Sequence, residues 1–366
     1  MKKILTWALC LCLLLSLAAC GREEVPETVP TVATTEATAE PTTEPTTEPT
    51  TEPTTVPTEP EPEIFTLTFV GDCTLGNSPM HEHTAGGFNP IVGENYDYPF
   101  QNVRQYFEDD DFTMINLEGV LGEEGWPSQK TFVFRGPSGY INILTGSSVE
   151  AVTLANNHAL DYGQKGYART VELLEEAAIG YVETDKTALY TTESGLTIGL
   201  YAACFNYPKN MEEIVTGLRE AGAEIVIYAF HWGVEGGYYP LTHQVDQAHD
   251  AIDSGVDIVY GHHPHVLQRI EEYNDGIIYY SLGNFCFGGN QQPPDLDTAI
   301  LQQQVIRHPD GAVELGELTI IPASISSIPI KNNYQPTPYE EGSEEYQRVL
   351  DKLSGGYEGV KLDVSY

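Results

Sequence analysis

An apolar run leads directly into a histidine cluster at Val256-Asp257-Ile258-Val259-Tyr260-Gly261-His262-His263-Pro264-His265. The apolar part is typical of a buried strand, and the histidines stand where that strand should end. Side chains of extended backbone alternate between two faces, and a proline favours extended geometry in the residue before it. We therefore expect His263 and His265 to share one face and His262 to lie on the other. Two neutral imidazoles on one face form half of a metal site; the alternative is a histidine-rich turn that only packs or caps.

The composition allows a folded body and excludes one class of partner. The chain has 366 residues, of which 41% are hydrophobic, enough for one large domain or two. Its formal net charge is -37, with 17 Lys and Arg against 54 Asp and Glu. Binding to nucleic acid needs basic patches that can meet phosphate, so we expect no nucleic-acid partner.

The N-terminus predicts export and lipid anchoring. A basic head, Met1-Lys2-Lys3, precedes an apolar run from Ile4 to Leu17 that is too short for a spanning helix. The run ends in Leu17-Ala18-Ala19-Cys20-Gly21, which resembles the bacterial lipobox, whereas the alternative is an ordinary signal peptide. We predict a lipoprotein signal peptide at 1–20, acylation of Cys20, and a protein anchored on the extracellular face of the bacterial cell membrane.

A segment dominated by Thr, Glu and Pro follows at 21–63. It contains almost no large apolar side chain, so it lacks the material for a core and is predicted to be a disordered, extended linker. We interpret it as a stalk that holds the body away from the membrane.

The body, predicted at 64–322, alternates apolar strand patterns with amphipathic helix patterns, which is typical of an α/β fold. Later strands with few helices indicate a second sheet stacked on the first. The predicted strands are Ile64–Val70, Phe112–Leu117, Thr131–Phe134, Ala151–Ala155, Leu196–Tyr201, Glu224–Phe230, Asp257–Tyr260, Val266–Ile270, Ile277–Leu282, Ala299–Ile306 and Val313–Ile320. The predicted helices are Phe100–Phe107, Asp161–Leu174, Met211–Ala221 and Gln244–Ile252. The tail at 323–366 is predicted to be irregular, apart from a short helix near Glu344–Leu353.

Polar residues of metal-ligand type follow several of the predicted strands, and they are Asp72, Glu118, Asn157, His231 and His263. Each has an ordinary alternative as a turn, a helix cap or a core residue. In α/β sheets, however, sites lie at the carboxyl ends of the strands, where such residues meet. Carboxylate, amide and imidazole ligands together suit Mn, Fe or Zn, so we predict a divalent metal cofactor.

The motifs that carry a family resemblance are Phe69-Val70-Gly71-Asp72, Asn116-Leu117-Glu118, Ala155-Asn156-Asn157-His158-Ala159-Leu160-Asp161-Tyr162-Gly163, His231-Trp232-Gly233-Val234-Glu235, Gly261 to Val266, and Tyr280-Ser281-Leu282-Gly283-Asn284-Phe285. In this order they resemble the CapA family of poly-γ-glutamate capsule synthesis proteins. The resemblance implies a calcineurin-like metallophosphoesterase fold, a layered sandwich of two mixed β-sheets flanked by helices.

The resemblance also implies roles for individual residues. The metal ligands would be Asp72, Glu118, Asn157, His231, His263 and His265, holding one or two ions. His158 would protonate a leaving oxygen or steady the transition state, and Asp161 would orient it. The implied chemistry is metal-assisted hydrolysis of an ester or amide-like centre.

The sequence departs from the metallophosphoesterase pattern at Thr74, where the first motif, Asp-x-His, has its histidine. This leaves one metal position a ligand short, and single-ion occupancy or loss of catalysis both stay open. His81 and His83 lie nearby in sequence, where they either supply the missing ligand or stay solvated in their loop. Glu235 is either an acid that supports the metal ligands or an ordinary loop acid.

Arg135 stands out in a chain with few cations. It is either a substrate-binding residue for phosphate or carboxylate or a member of a surface ion pair.

Two classes of function remain open at this point. The first is a surface hydrolase or transferase acting on a phosphoester or a γ-glutamyl polymer. The second is a non-catalytic accessory protein that binds an anionic polymer or a membrane synthase complex. The set of ligand-type residues favours the first class, and Thr74 together with the stalk favours the second.

Overall fold

The computed structural model describes residues 60–79 and 84–357. The predicted signal peptide, Cys20 and the linker up to residue 59 lie outside these ranges, as do His81 and His83. Among the residues described, no helix combines the length and the apolar character needed to cross a bilayer.

The elements of secondary structure follow one another along the chain as strands with interspersed helices. They are β1 (Glu63–Thr74), α1 (Phe88–Val92), α2 (Arg104–Glu108), β2 (Phe112–Leu117), β3 (Val120–Leu121), β4 (Arg135–Gly136), α3 (Ile141–Thr145), β5 (Ala151–Thr153), α4 (Gly163–Glu176), β6 (Gly180–Val182), β7 (Lys186–Thr191), β8 (Thr197–Cys204), α5 (Met211–Glu220), β9 (Ile225–His231), α6 (Thr242–Asp253), β10 (Ile258–His262), β11 (Ile270–Tyr273), β12 (Gly276–Tyr279), β13 (Asn284–Phe287), β14 (Asp297–Arg307), β15 (Val313–Ser324), β16 (Thr337–Pro338) and α7 (Glu344–Leu353).

Two mixed sheets form the body. The first has the strand order β16-β15-β14-β1-β2-β5-β6, with β13 paired to the end of β1, and the second has the order β11-β12-β10-β9-β8-β7. In the first sheet β1 runs parallel to β2 and antiparallel to β14. In the second, β8, β9, β10 and β12 are parallel, and β7 and β11 are antiparallel edges. The predicted α/β fold with two mixed sheets is confirmed.

One core cluster draws its buried residues from both sheets. Phe69 of β1 packs against Tyr260 of β10 and Tyr279 of β12, with ring centroids 5.0 and 5.6 Å away. The Tyr260 hydroxyl donates hydrogen bonds to the carbonyls of Val70 and, at 3.1 Å, Met114 in the first sheet. Burial of each such side chain contributes about 1.5–3 kcal/mol, and the hydroxyl contacts fix how the strands are placed.

Helices α4 and α5 cover the outer faces of the sheets, as the spacing of their apolar residues requires. In α4 the buried positions include Thr170, Leu173 and Leu174, and in α5 they are Met211, Val215 and Leu218. Spacings of three and four residues place these side chains on one helix face. The α4 face packs in a cluster with the first sheet, and the α5 face packs in a cluster with the second.

Several predicted elements differ from the observed ones. The strand predicted at Thr131–Phe134 is wrong, because pairing begins one residue later at Arg135–Gly136. The strand predicted at Val266–Ile270 is also wrong, since pairing is limited to an isolated bridge from Leu267 to Leu282 and β11 starts at Ile270. The helix predicted at Phe100–Phe107 is reduced to α2.

The region after residue 322 is partly regular. Strand β15 continues to Ser324, and α7 occupies the residues at which a short helix was predicted. The Ser343 hydroxyl caps α7 by accepting a hydrogen bond from the Tyr346 amide at 3.1 Å. Val349 and Leu353 of this helix are buried in the core between the sheets. Helix α7 therefore packs as part of the body.

Candidate metal centre

The carboxyl ends of three central strands bring carboxylates and an imidazole together. Asp72 lies near the end of β1, Glu118 directly follows β2, and His231 ends β9. The ligand atoms of these three buried residues lie within 4.8 Å of one another. We call them the buried cluster. They come from both sheets, so the stacking of the sheets, and not a local motif, creates this group.

A second group forms beside the buried cluster, and we call it the outer cluster. Its ligand atoms, from Glu235, His263 and His265, also lie within 4.8 Å of one another. The two groups adjoin, because His265 Nδ1 lies 3.0 Å from Asp72 Oδ2 and the His231 and His263 rings are 4.7 Å apart between centroids. Glu235 is in the loop after β9. The sequence left its role open, and the structure places it among the imidazoles.

The prediction that His262 faces away from the site is wrong, whereas His263 and His265 do lie in one cluster. Strand β10 ends at His262, and the backbone then turns to positive φ, 96° at His263 and 56° at His265. Because the chain is not extended there, alternation does not apply. His262 is buried and faces the site, where its Nδ1 lies 2.9 Å from Asp72 Oδ1. A carboxylate only accepts hydrogen bonds, so this ring nitrogen is the donor.

Asparagines support the buried carboxylates. Asn116 donates to Asp72 Oδ1 at 2.9 Å, and Asn156 donates to Asn116 Oδ1 at 3.0 Å. Asn157 Oδ1 lies 2.9 Å from His231 Nε2, which brings the predicted amide ligand to the edge of the buried cluster. No role was predicted for Asn116 or Asn156, although both stand close to candidate ligands in the motifs given above.

The predicted catalytic pair lies next to the buried cluster. His158 Nδ1 is 2.6 Å from Asp161 Oδ2, which also accepts the Phe134 amide at 2.8 Å. The other ring nitrogen, Nε2, is 3.9 Å from Glu118 Oε1. Asp161 therefore holds the ring so that Nε2 points toward the carboxylates.

Lys130 was not identified from the sequence, because only the tertiary fold brings it to this pair. Its ammonium group donates to Asp161 Oδ1 at 3.1 Å and to the Asn157 carbonyl at 2.5 Å. The lysine therefore links the carboxylate that orients His158 to the backbone of a candidate ligand.

The ionisation of the cluster is strongly perturbed. Burial and the Asp72 charge raise the pKa of Glu118 well above its usual value. Burial acts the same way on Asp72, but hydrogen bonds from His262 and His265 outweigh it and lower that pKa. Burial and neighbouring histidines lower the pKa of His231, and that of His263 to about 3, so both rings are neutral at pH 7.

The pKa of His265 moves in the opposite direction. Burial lowers it, but the charges of Glu118 and Asp72 prevail and raise it to about 10. The carboxylates around this ring therefore favour a positive charge, which a proton or a bound cation can supply.

The residues present fit a divalent cation. The buried atoms of this site that have no hydrogen-bond partner include Glu118 Oε1, His231 Nδ1, His262 Nε2 and His263 Nδ1. Leaving such groups unpaired costs about 1–3 kcal/mol each, whereas a bound cation satisfies the carboxylates and imidazoles that coordinate it. The mixture of oxygen and nitrogen donors suits Mn, Fe or Zn.

A cavity of about 510 Å³ opens beside His158, Glu235 and His265. Its other walls are aromatic rings and side-chain amides, including Phe132, Phe134, Phe287, Tyr334, Asn77 and Gln292. A reacting group placed here would lie next to both the outer cluster and the predicted proton donor.

Arg135, the predicted substrate-binding residue, does not line this cavity. Its guanidinium lies 4.3 Å from the centroid of the Tyr162 ring and contacts the Glu123 carbonyl at 3.4 Å. It faces a separate cleft of about 80 Å³.

Thr74 stands where the first motif of metallophosphoesterases has a histidine. It is fully buried, and its hydroxyl has no hydrogen-bond partner among the described residues.

The sequence profile of the bacterial capsule synthesis protein family PGA_cap matches residues 66–289. The chain belongs to this family. The matched range begins within β1 and ends just after β13, so it contains every residue of both clusters. The family resemblance seen in the sequence motifs is therefore confirmed.

Two relatives carry related names. The chain is 30% identical over 258 residues to the capsule biosynthesis protein CapA of Bacillus anthracis, covering 62% of this chain and 61% of the relative. It is 27% identical over 317 residues to the PGA biosynthesis protein CapA of Bacillus subtilis strain 168, covering 80% and 78%. The chain thus spans less than two thirds of the first relative.

Solved structures with some similarity include the NAD nucleotidase NadN of Haemophilus influenzae, with a TM-score of 0.40 and 11% identity, covering 81% of this chain and 56% of that one. A purple acid phosphatase from yellow lupin gives a TM-score of 0.34 at 11% identity, covering 79% and 56%.

Proposed function

We propose that this protein is a lipid-anchored surface protein of capsule or poly-γ-glutamate biosynthesis whose body is a metal-dependent hydrolase. The observation that carries the catalytic part is the pair of adjoining clusters, with unpartnered buried ligand atoms, beside an oriented histidine and an open cavity. Family membership and the names of the relatives support the biosynthetic process. The substrate class is a phosphoester or an anionic polymer, and a membrane synthase complex is the expected partner.

The residues divide into ion-holding and proton-handling groups. Asp72, Glu118 and His231, with Asn157 alongside, would hold one ion. Glu235, His263 and His265 would hold a second. Bound divalent ions supply Lewis-acid polarisation of the substrate and activation of water.

His158 handles the proton in this proposal. Asp161 accepts the hydrogen bond from Nδ1 and stabilises the protonated ring, so Nε2 is the nitrogen left to donate a proton to a leaving oxygen. Lys130 keeps Asp161 in place from the opposite side. The aromatic and amide walls of the cavity hold the substrate against these groups.

Replacing His158 with Ala tests the enzymatic reading. We expect hydrolysis of bis(p-nitrophenyl) phosphate to fall about 100- to 10,000-fold, the usual contribution of a positioned acid or base, while metal content stays at the wild-type level. The matched control is His249→Ala, since His249 stacks on Tyr273 away from both clusters. If the wild type binds metal but is inactive, the alternative hypothesis of a non-catalytic accessory protein that binds polymer or synthase is favoured. The replacement of a motif histidine by Thr74 supports that alternative. Equal rates for wild type and His158→Ala would exclude His158 as the acid.

Membrane attachment through Cys20 is proposed from the lipobox-like sequence. We expect Cys20→Ala to abolish both incorporation of a labelled fatty acid and partition into the detergent phase, because acyl chains provide the anchor. Persistence of the mutant in the detergent phase would show that another feature holds the protein to the membrane.

A further inference from the structure

Helix α7 carries a lysine that is almost completely buried. Lys352 is 4% exposed, and its ammonium donates to Asp295 Oδ2 at 2.6 Å and to Asp297 Oδ2 at 2.7 Å. One turn earlier, Arg348 donates to both oxygens of Asp297 at 2.7 and 2.8 Å. We call these four residues the α7 ion cluster. Buried charges of this kind add little net stability, but they fix the geometry of the segments that they join when every partner is satisfied.

The α7 ion cluster reaches the loop that carries Glu235. Tyr238, three residues after Glu235, donates its hydroxyl proton to Asp295 Oδ2 at 2.8 Å, the same oxygen that Lys352 binds. The ammonium of Lys352 also lies 5.2 Å from the centroid of the Tyr238 ring. Helix α7 therefore contacts the loop in two ways, through hydrogen bonds to the shared Asp295 oxygen and through a cation–π contact with Tyr238.

The other side of the same loop is attached to the histidine segment. The Gly236 amide donates to the Pro264 carbonyl at 2.8 Å, and Gln268 donates to the Gly237 carbonyl at 2.6 Å. Glu235 thus sits directly before a segment held at one edge by the histidine-bearing chain and at the other by α7. Asp295 and Asp297 also follow the cavity-lining residues 288–292, so α7 secures a second wall of the site.

We infer that helix α7, through Lys352, Asp295 and Tyr238, positions Glu235 and thereby sets the affinity of the outer cluster for a divalent ion. This inference rests on the proposed function, because it assumes that the outer cluster holds an ion. Helix α7 lies beyond the residues that the family profile matches, so the assignment concerns a part of the chain that the profile does not cover. Residues that orient a ligand without touching the metal typically change its affinity 10- to 100-fold.

The test is a titration of the full-length metal-free protein with Mn²⁺, followed by calorimetry and by manganese electron paramagnetic resonance. Glu235→Gln first identifies the binding event that belongs to the outer cluster. We expect Lys352→Met to weaken that event about 10-fold, and Tyr238→Phe to weaken it in the same direction, with the buried-cluster event unchanged. The matched control is Gln347→Ala, because Gln347 is exposed on the same helix and its side chain donates to Asp351, outside the α7 ion cluster, at 2.9 Å.

Tyr238→Phe guards against a folding artefact. Lys352→Met leaves two buried carboxylates with fewer partners and can unfold the protein, whereas Tyr238→Phe removes a single hydroxyl. Weakened outer-cluster binding in folded Tyr238→Phe, with the Gln347→Ala control unchanged, supports the inference. Two binding events with wild-type affinities in Tyr238→Phe overturn it and leave the proposed function intact. A wild type that binds no Mn²⁺ overturns both.

Discussion

Replacing Asp72 with Ala is expected to eliminate tight binding of a divalent ion at the buried cluster, with an affinity loss of more than about 100-fold. The Asp72 carboxylate is fully buried and is the meeting point of Asn116, His262 and His265. Its loss removes a negative ligand and leaves the surrounding donors without an acceptor. Asp72→Asn is the matched variant of equal size, and it too should bind weakly, because an amide nitrogen cannot accept from these donors.

Substitution of His262 is expected to cause a smaller loss of affinity than substitution of Asp72. The His262 ring donates to Asp72 and so orients a ligand without belonging to either cluster. We therefore expect His262→Ala to weaken binding about 10-fold, between wild type and Asp72→Ala. Inductively coupled plasma mass spectrometry gives the metal content, and calorimetry gives the affinity. Wild-type affinity in Asp72→Ala would show that the buried cluster does not bind the ion.

Replacing Gly261 with Ala is expected to destabilise the body by about 3 kcal/mol and to reduce metal binding at the same time. A β-carbon at this position in β10 would lie 2.2 Å from the Tyr280 carbonyl oxygen and 2.7 Å from Trp232 Nε1. The closest of these atoms is backbone, so a strand must move. The indole already donates to that carbonyl at 2.9 Å, which leaves no room for the methyl group. Because His262 and His263 follow immediately, the shift reaches the site.

The control for this substitution is Gly217→Ala in α5. A β-carbon there meets no atom within 4 Å, and alanine is favoured over glycine inside a helix by about 1 kcal/mol. Chemical denaturation followed by circular dichroism measures both variants. If Gly261→Ala has the same midpoint denaturant concentration as the wild type, close packing at Gly261 does not limit stability.

Continuous buried strands could be predicted from the sequence, and edge strands could not. Strand β2 occupies the predicted residues Phe112–Leu117, because all of its side chains are buried and its apolar run is uninterrupted. Strand β7, Lys186–Thr191, was missed because its side chains are exposed or only half-buried, which leaves no apolar run. Strand β13 is only four residues long and begins with a polar residue, so its pattern was too short.

The candidate site shows the same limit. The proximity of Asp72 and Glu118 could be anticipated, because they lie at the carboxyl ends of the parallel neighbours β1 and β2, whereas His231 joins them through the stacking of the second sheet on the first. The local turn after β10 could not be anticipated, because the proline after His263 favours extended geometry in that residue, whereas His263 and His265 adopt positive φ. Glu235 and Lys130 reach the site from loops, and the sequence spacing of loop residues carries no information about distance in space.

If the two clusters form a divalent-metal centre, the full-length wild-type protein should carry metal when it is purified. The protein should be purified from cells supplied with Mn, Fe and Zn and analysed by inductively coupled plasma mass spectrometry beside Asp72→Ala. We expect at least one equivalent of a divalent transition metal per chain in the wild type, and we expect that equivalent to be lost in the variant. A wild type without bound metal, or a variant with the same metal content as the wild type, would contradict this expectation.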